Sequence, residues 1–170
     1  KKHDDGAPPR VVVVGGLGRL GAEICEQLLT RGDAVTCCDD ARAFLVDEAA
    51  ASSHQEDERC EGDDVVNGAC LAEKRSALAR LEAIGLNNNA KNRGAHQQSS
   101  PESSSSSSFF ETTPLPRAET ALEAEEYAEA VAQAVRAARA TDLVLLGLCG
   151  LDRGDRVARR ALRDPPASLR

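Results

Sequence analysis

The chain has 170 residues, 41% of them apolar, and a formal net charge of −7. That length suits one domain with its own core, and the negative balance argues against a nucleic-acid surface, which needs a clustered positive face. With three Phe, one Tyr, no Trp and no Met, the core must come mainly from Leu, Val and Ala.

Residues 1–10 read as a polar N-terminal tail beginning at Lys1 rather than methionine. A cleaved targeting segment, to chloroplast or mitochondrion, is one explanation and truncation is another. Val11-Val12-Val13-Val14 then forms a short unalternating apolar strand, the kind covered on both faces in a parallel sheet. It runs into Gly15-Gly16-Leu17-Gly18-Arg19-Leu20-Gly21. Gly16 suits the tight turn, Gly18 leaves room for a pyrophosphate, and Gly21 lets the following helix lie close to the strand. The amides of Arg19 and Leu20, at the helix start, are the expected phosphate donors.

The helix follows, with Leu20, Ile24 and Leu28 at four-residue spacing, Cys25 and Leu29 broadening the stripe, and Arg31-Gly32 as its C-terminal signal. A second strand, Ala34 to Cys38, leads to Asp39 and Asp40. A carboxylate there can accept from adenosine ribose hydroxyls and repel a 2′-phosphate, which favours NAD over NADP, although Arg42 is near enough to approach a 2′-phosphate.

Gly16-Leu17-Gly18-Arg19-Leu20-Gly21, continuing through Leu28-Leu29 and Gly32 to Val35-Thr36 and Asp39, resembles the N-terminal end of β-hydroxyacid and 6-phosphogluconate dehydrogenases over about thirty residues. The same glycines satisfy a second spacing, Gly15-x-x-Gly18-x-x-Gly21, which is similar to extended and atypical short-chain dehydrogenase/reductases. Val14 stands where those enzymes often carry a threonine, so the first resemblance is the better one. Both imply a Rossmann-like, doubly wound parallel α/β sheet binding NAD or NADP through Gly16, Leu17, Gly18, Arg19, Leu20, Gly21, Asp39 and Asp40.

Beyond Asp40 a crossover helix is expected over residues 41–51, then a polar loop and a two-residue strand at Val65-Val66. Leu71, Leu78, Leu81 and Ile84 mark an amphipathic helix ended by Gly85. Residues 11–85 thus read as the first half of the sheet domain. Residues 86–116, with three consecutive asparagines, six consecutive serines and three prolines, read as a low-complexity insertion that cannot order itself alone. Partner subunits are therefore expected along it.

Residues 117–164 resume regular structure. A helix is predicted over residues 119–140, with Leu122, Tyr127, Val131, Val135 and Ala138 on one side. The strand Leu143–Leu148 follows, then a helix over residues 155–163 burying Val157, Ala161 and Leu162; residues 165–170 are a tail. By the dehydrogenase resemblance, Gly147 and Leu148 would touch the nicotinamide half of the cofactor. Strands near 11–14, 34–38, 65–66 and 143–148 predict a shortened sheet in the order 3-2-1-4, with an edge left for something outside the chain to cover. From Arg136 to Arg170 there are eight Arg against four Asp, or +4, leaving −11 for the remainder, an asymmetry that suggests a second docking surface.

The six cysteines form no CxxC pair, so no metal is indicated and a reducing compartment is expected. His3, His54 and His96 lie in polar, loop-like sequence. No stretch approaches the roughly twenty apolar residues of a membrane span, so the chain is expected to be soluble or peripheral.

Short-chain enzymes pair a tyrosine with a lysine four residues later. Here Tyr127 is followed at that spacing by Val131, and no catalytic residue is identified. Two readings follow: an NAD(P)-binding domain of oxidoreductase ancestry without independent turnover, or a non-catalytic accessory subunit of a large, organellar, multisubunit complex.

Overall fold

The computed structural model describes residues 8–44, 65–66, 69–96, 108–116, 121–146 and 151–169. Strand β1 (Arg10–Val14) lies between β2 (Ala34–Asp40) and β6 (Asp142–Leu145), and β5 (Phe110–Leu115) pairs with the outer side of β2. All three pairings are parallel. The result is a four-stranded α/β sheet in the spatial order 3-2-1-4, a shortened Rossmann-like arrangement.

The valine tetrad explains why β1 is central. Val11 and Val13 face one apolar cluster, built with helices α1 (Arg19–Arg31) and α2 (Leu71–His96). Val12 and Val14 face the other, built with α3 (Ala121–Ala137) and α4 (Leu151–Ala161). With helices on both sides neither face can be polar, and each buried valine contributes about 1.5–3 kcal/mol. Small residues complete the core, chiefly Ala128, Val131, Ala134 and Val135 of α3.

Several expectations change on contact with tertiary structure. Val65–Val66 is not the third strand of the sheet but pairs antiparallel with Ala69–Cys70, here β3 and β4. The third position belongs to β5, at the end of the segment read as an insertion. A strand of two valines offers few ladder bonds, whereas Phe110–Leu115 matches β2 over six residues, with Pro114 tolerated because the strand is at the edge.

The asparagine run is equally structural. Helix α2 continues through it instead of ending at Gly85. Asn88 Nδ2 donates to the Leu29 carbonyl near the end of α1 at 2.7 Å, and Asn89 Oδ1 accepts from the Phe109 amide at 3.1 Å. Two of the three asparagines thus tie α2 to its neighbours. Gly85 is a point of close approach, since a Cβ there would stand 2.5 Å from Cβ of Phe110.

Smaller corrections concern helix faces and ends. Leu20 is 61% exposed and Leu162 is 59% exposed. Helix α1 buries Gly21, Ala22, Cys25 and Leu29, and Gly32 ends it in the left-handed conformation, φ 91°, as its position predicted. After β2 the chain makes a 3₁₀ turn, Ala41–Ala43; the remainder of the crossover helix expected over 41–51 lies outside the described residues from 45 onward. Strand β6 ends at Leu145, one residue before Leu146, and Gly147 and Leu148 of the expected strand also lie outside them. Among the described residues no helix is long and apolar enough to cross a membrane.

Gly85→Ala separates two opposing effects. Helix propensity alone favours alanine by about 1 kcal/mol, whereas overpacking against Phe110 costs about 1–3 kcal/mol. Urea denaturation is expected to show net destabilisation; a more stable variant would mean that α2 and β5 do not meet this closely.

Candidate functional site

The glycine segment turns at the carboxyl end of β1, between the ends of β2 and β6. Gly15, not Gly16, carries the positive φ, 77°, and a Cβ on it would stand 2.5 Å from the Leu146 carbonyl oxygen. Gly16 is confined by sulfur, for its Cβ would lie 2.7 Å from Sγ of Cys37 and 3.2 Å from Sγ of Cys25. A Cβ on Gly21 would overlap the Gly15 carbonyl oxygen. The loop is therefore closed tightly on itself, and helix α1 starts directly behind it.

Gly18 is the N-cap of α1; no side chain caps that end, and its first turn holds no acidic residue. The Gly18 amide bonds back to the Gly15 carbonyl at 3.2 Å. Arg19 and Leu20 are exposed at the start of the helix, where backbone amides and the helix dipole favour an anion. Helix geometry thus places the expected phosphate donors at the surface, next to the crevice where parallel sheets of this order bind ligands.

Asp39 has a different environment from the one its position suggested. Its side chain is fully buried, and Oδ2 accepts the Leu17 amide at 2.8 Å while Oδ1 accepts the Asp40 amide at 2.8 Å. The third partner is Lys74, whose equally buried ammonium forms an ion pair with Oδ1. The carboxylate faces the loop and α2, with no solvent face to offer a ribose.

Lys74 escaped the sequence analysis, yet the signal existed. It falls in the same helical stripe as Ala77, Leu81 and Gly85, all buried. A lysine at a core position requires a buried anion, because an uncompensated charge there costs several kcal/mol. Glu73, next to it, accepts the Cys70 amide through Oε2 and bonds Arg19 Nη2 through Oε1, each at 3.1 Å. Those two contacts hold the Glu73 carboxyl below the usual range. The start of α2 therefore reaches the glycine segment twice, by the buried Lys74–Asp39 pair and the exposed Glu73–Arg19 pair.

Asp40 lies at the rim. It accepts the Arg42 amide at 2.9 Å, with Arg42 Nε at 3.2 Å and Nη2 at 3.1 Å completing a fork. Burial raises its pKa, but the side-chain and backbone hydrogen bonds from Arg42 outweigh that and leave it lowered. All the expected glycine-segment residues and both aspartates thus gather at one end of the sheet.

Among the described residues, the cysteines do not add chemistry. A hydrogen bond with Cys25, together with burial, raises the Cys37 thiol well above its ordinary pKa, and burial pushes Cys38 to about 12. Such thiols are poor nucleophiles. Cys70 is disulfide-bonded, against the expectation of reduced thiols throughout; pairing depends on tertiary proximity, which spacing along the chain does not carry. Among the described residues no group of His, Cys, Asp and Glu is arranged to hold a metal ion. Four of the C-terminal arginines are paired within the chain: Arg160 and Arg136 with Glu129, Arg156 with Glu125 and Arg159 with Asp155.

Comparison with protein-family models, with curated proteins and with solved structures gives no match in any of the three.

Lys74→Met should lower unfolding stability by about 3–5 kcal/mol, because it strands a buried carboxylate. Adding Asp39→Asn should recover part of that loss, and a double variant no more stable than the single one would contradict the pairing. For Asp40 the lowered folded-state pKa means that its contribution is complete above its unfolded value, about 3.9, and fades as pH falls through the folded one. The difference in melting temperature between wild type and Asp40→Asn should accordingly shrink as pH is lowered below about 4.

Proposed function

We propose that the chain binds a nicotinamide dinucleotide at the carboxyl ends of β1 and β6, with the pyrophosphate over the glycine segment. The observation that carries this reading is the coincidence of three features. The sheet changes direction of progress at β1, the glycine segment turns there with Gly15 at positive φ, and the N-terminus of α1 carries neither a side-chain cap nor an acidic residue. A doubly wound sheet places its ligand at such a crevice. Gly15 in the tight-turn role supports the Gly15-x-x-Gly18-x-x-Gly21 spacing. Gly18, Arg19, Leu20 and Gly21 are the residues proposed to hold the pyrophosphate.

The domain is of oxidoreductase type in this reading, without turnover of its own, because among the described residues no acid/base pair accompanies the site. Tyr127 lies on α3, in the apolar cluster on the face of the sheet away from α1. A second reading, a scaffold retained within a larger assembly, is favoured by one observation. Asp39 spends its hydrogen-bonding capacity inside the fold, so the loop is held in place without any ligand.

Calorimetric titration of the purified chain with NAD and with NADP separates the two. Saturable binding that Gly18→Val abolishes is expected, since a branched side chain would stand where the pyrophosphate approaches. A folded chain that binds neither dinucleotide would support the scaffold and exclude the ligand site.

A further inference from the structure

The backbone amides of the glycine segment divide into those the fold uses and those its helix leaves without an acceptor. The Gly15 amide donates to the Cys38 carbonyl at 2.8 Å and the Gly16 amide to the same oxygen at 3.4 Å. The Gly18 amide turns back to the Gly15 carbonyl at 3.2 Å. The Leu17 amide goes to Asp39 Oδ2 at 2.8 Å. The first bond inside α1 runs from the Ala22 amide to the Gly18 carbonyl at 2.8 Å, so the amides of Arg19, Leu20 and Gly21 have no acceptor within their own helix. These three are the donors that the dinucleotide reading assigns to the pyrophosphate.

Of the four committed amides, that of Leu17 is the one whose acceptor is a side chain. Leu17 stands between the turn at Gly15-Gly16 and the N-cap Gly18, and its own side chain is buried against α1 and α2. Where its amide points therefore decides how the turn enters the helix. Asp39 can fix that direction only while its carboxylate stays in place. Oδ1 is held by the Asp40 amide and by the Lys74 ammonium, and both charged side chains are fully buried. Without Lys74 the carboxylate would take up a proton or leave its site, and in either case its hold on the Leu17 amide weakens.

Resting on the dinucleotide reading, we infer that Asp39 and Lys74 are positioning residues for the pyrophosphate: the buried pair fixes the Leu17 amide and thereby the turn that presents the Arg19, Leu20 and Gly21 amides. Neither side chain touches the ligand. Asp39 serves as an internal anion on the loop, and donors arranged in advance spare the ligand the cost of ordering them.

The test is calorimetric titration of the full chain with ADP and with whichever of NAD and NADP binds the wild type more tightly, circular dichroism confirming that each variant is folded. Three variants are compared: Lys74→Met, Lys74→Met with Asp39→Asn, and Lys74→Met with Asp39→Leu. Asparagine keeps a neutral acceptor for the Leu17 amide, whereas leucine fills the space and accepts nothing. Lys74→Met and the leucine double variant should each lose about tenfold in affinity, the scale of one hydrogen bond to a charged group, and the asparagine double variant should recover most of it. The loss should be the same for ADP as for the dinucleotide, because both carry the diphosphate. A pair that only stabilised the fold would leave all folded variants binding alike. Equal affinities of the two double variants, beside a wild type that binds, would overturn the inference and leave the dinucleotide site standing. Should the leucine variant not fold, equal affinities of Lys74→Met and the asparagine double variant would overturn it in the same way. A loss seen with the dinucleotide and absent with ADP would also overturn it. A wild type that binds none of these nucleotides would overturn the dinucleotide reading and this inference together.

Discussion

A single buried carboxylate organises the glycine-segment end of this domain. Asp39 belongs to β2, accepts an amide from the segment after β1 and pairs with a lysine of α2, so three elements converge on one side chain. A charge in that position is held only while its counter-charge and its amides are in place. The shape of the glycine segment is consequently tied to the docking of a helix that begins thirty-two residues beyond Asp39. The valine-based core supplies most of the stabilisation, but it is non-directional; the buried ion pair fixes how the loop is oriented upon it.

Charge is handled in the same way across the described surface. Acidic and basic groups are matched locally, as in Asp40 with Arg42 at the rim and Glu129 with Arg136 of its own helix and Arg160 of α4. Of the C-terminal arginines, Arg156 and Arg160 reach from α4 to Glu125 and Glu129 of α3.

Much of the fold could be read from the sequence because its signals are local. Four consecutive valines demand cover on both faces, and Arg31-Gly32 ends a helix by a conformation only glycine adopts easily. What was missed depends on partners distant in sequence. Phe110–Leu115 is a strand because β2 offers it a parallel edge, and Asn88 is held because its amide reaches the Leu29 carbonyl at the end of α1. At the site, the glycines were legible from their spacing. The role of Asp39 was not, since it turns on Lys74, thirty-five residues away. Composition misled over residues 86–96 and 108–116 for a related reason: polar side chains that satisfy backbone groups resemble, as a string, those that only face water.

The pairing of β1 with β6 brings Val11 beside Asp142, across most of the chain. Joining residues so far apart costs more loop-closure entropy than any other pairing in the sheet, since β1–β2 and β2–β5 close shorter loops. High-separation contacts of this kind slow folding and are formed favourably once the shorter ones have lowered their cost. The crevice beside the glycine segment has β6 as one wall, so it comes into existence with that last closure. During synthesis, a nascent chain that has emerged only through β5 can hold α1, α2 and the Asp39–Lys74 pair, yet it lacks the strand that closes the other side of the glycine segment.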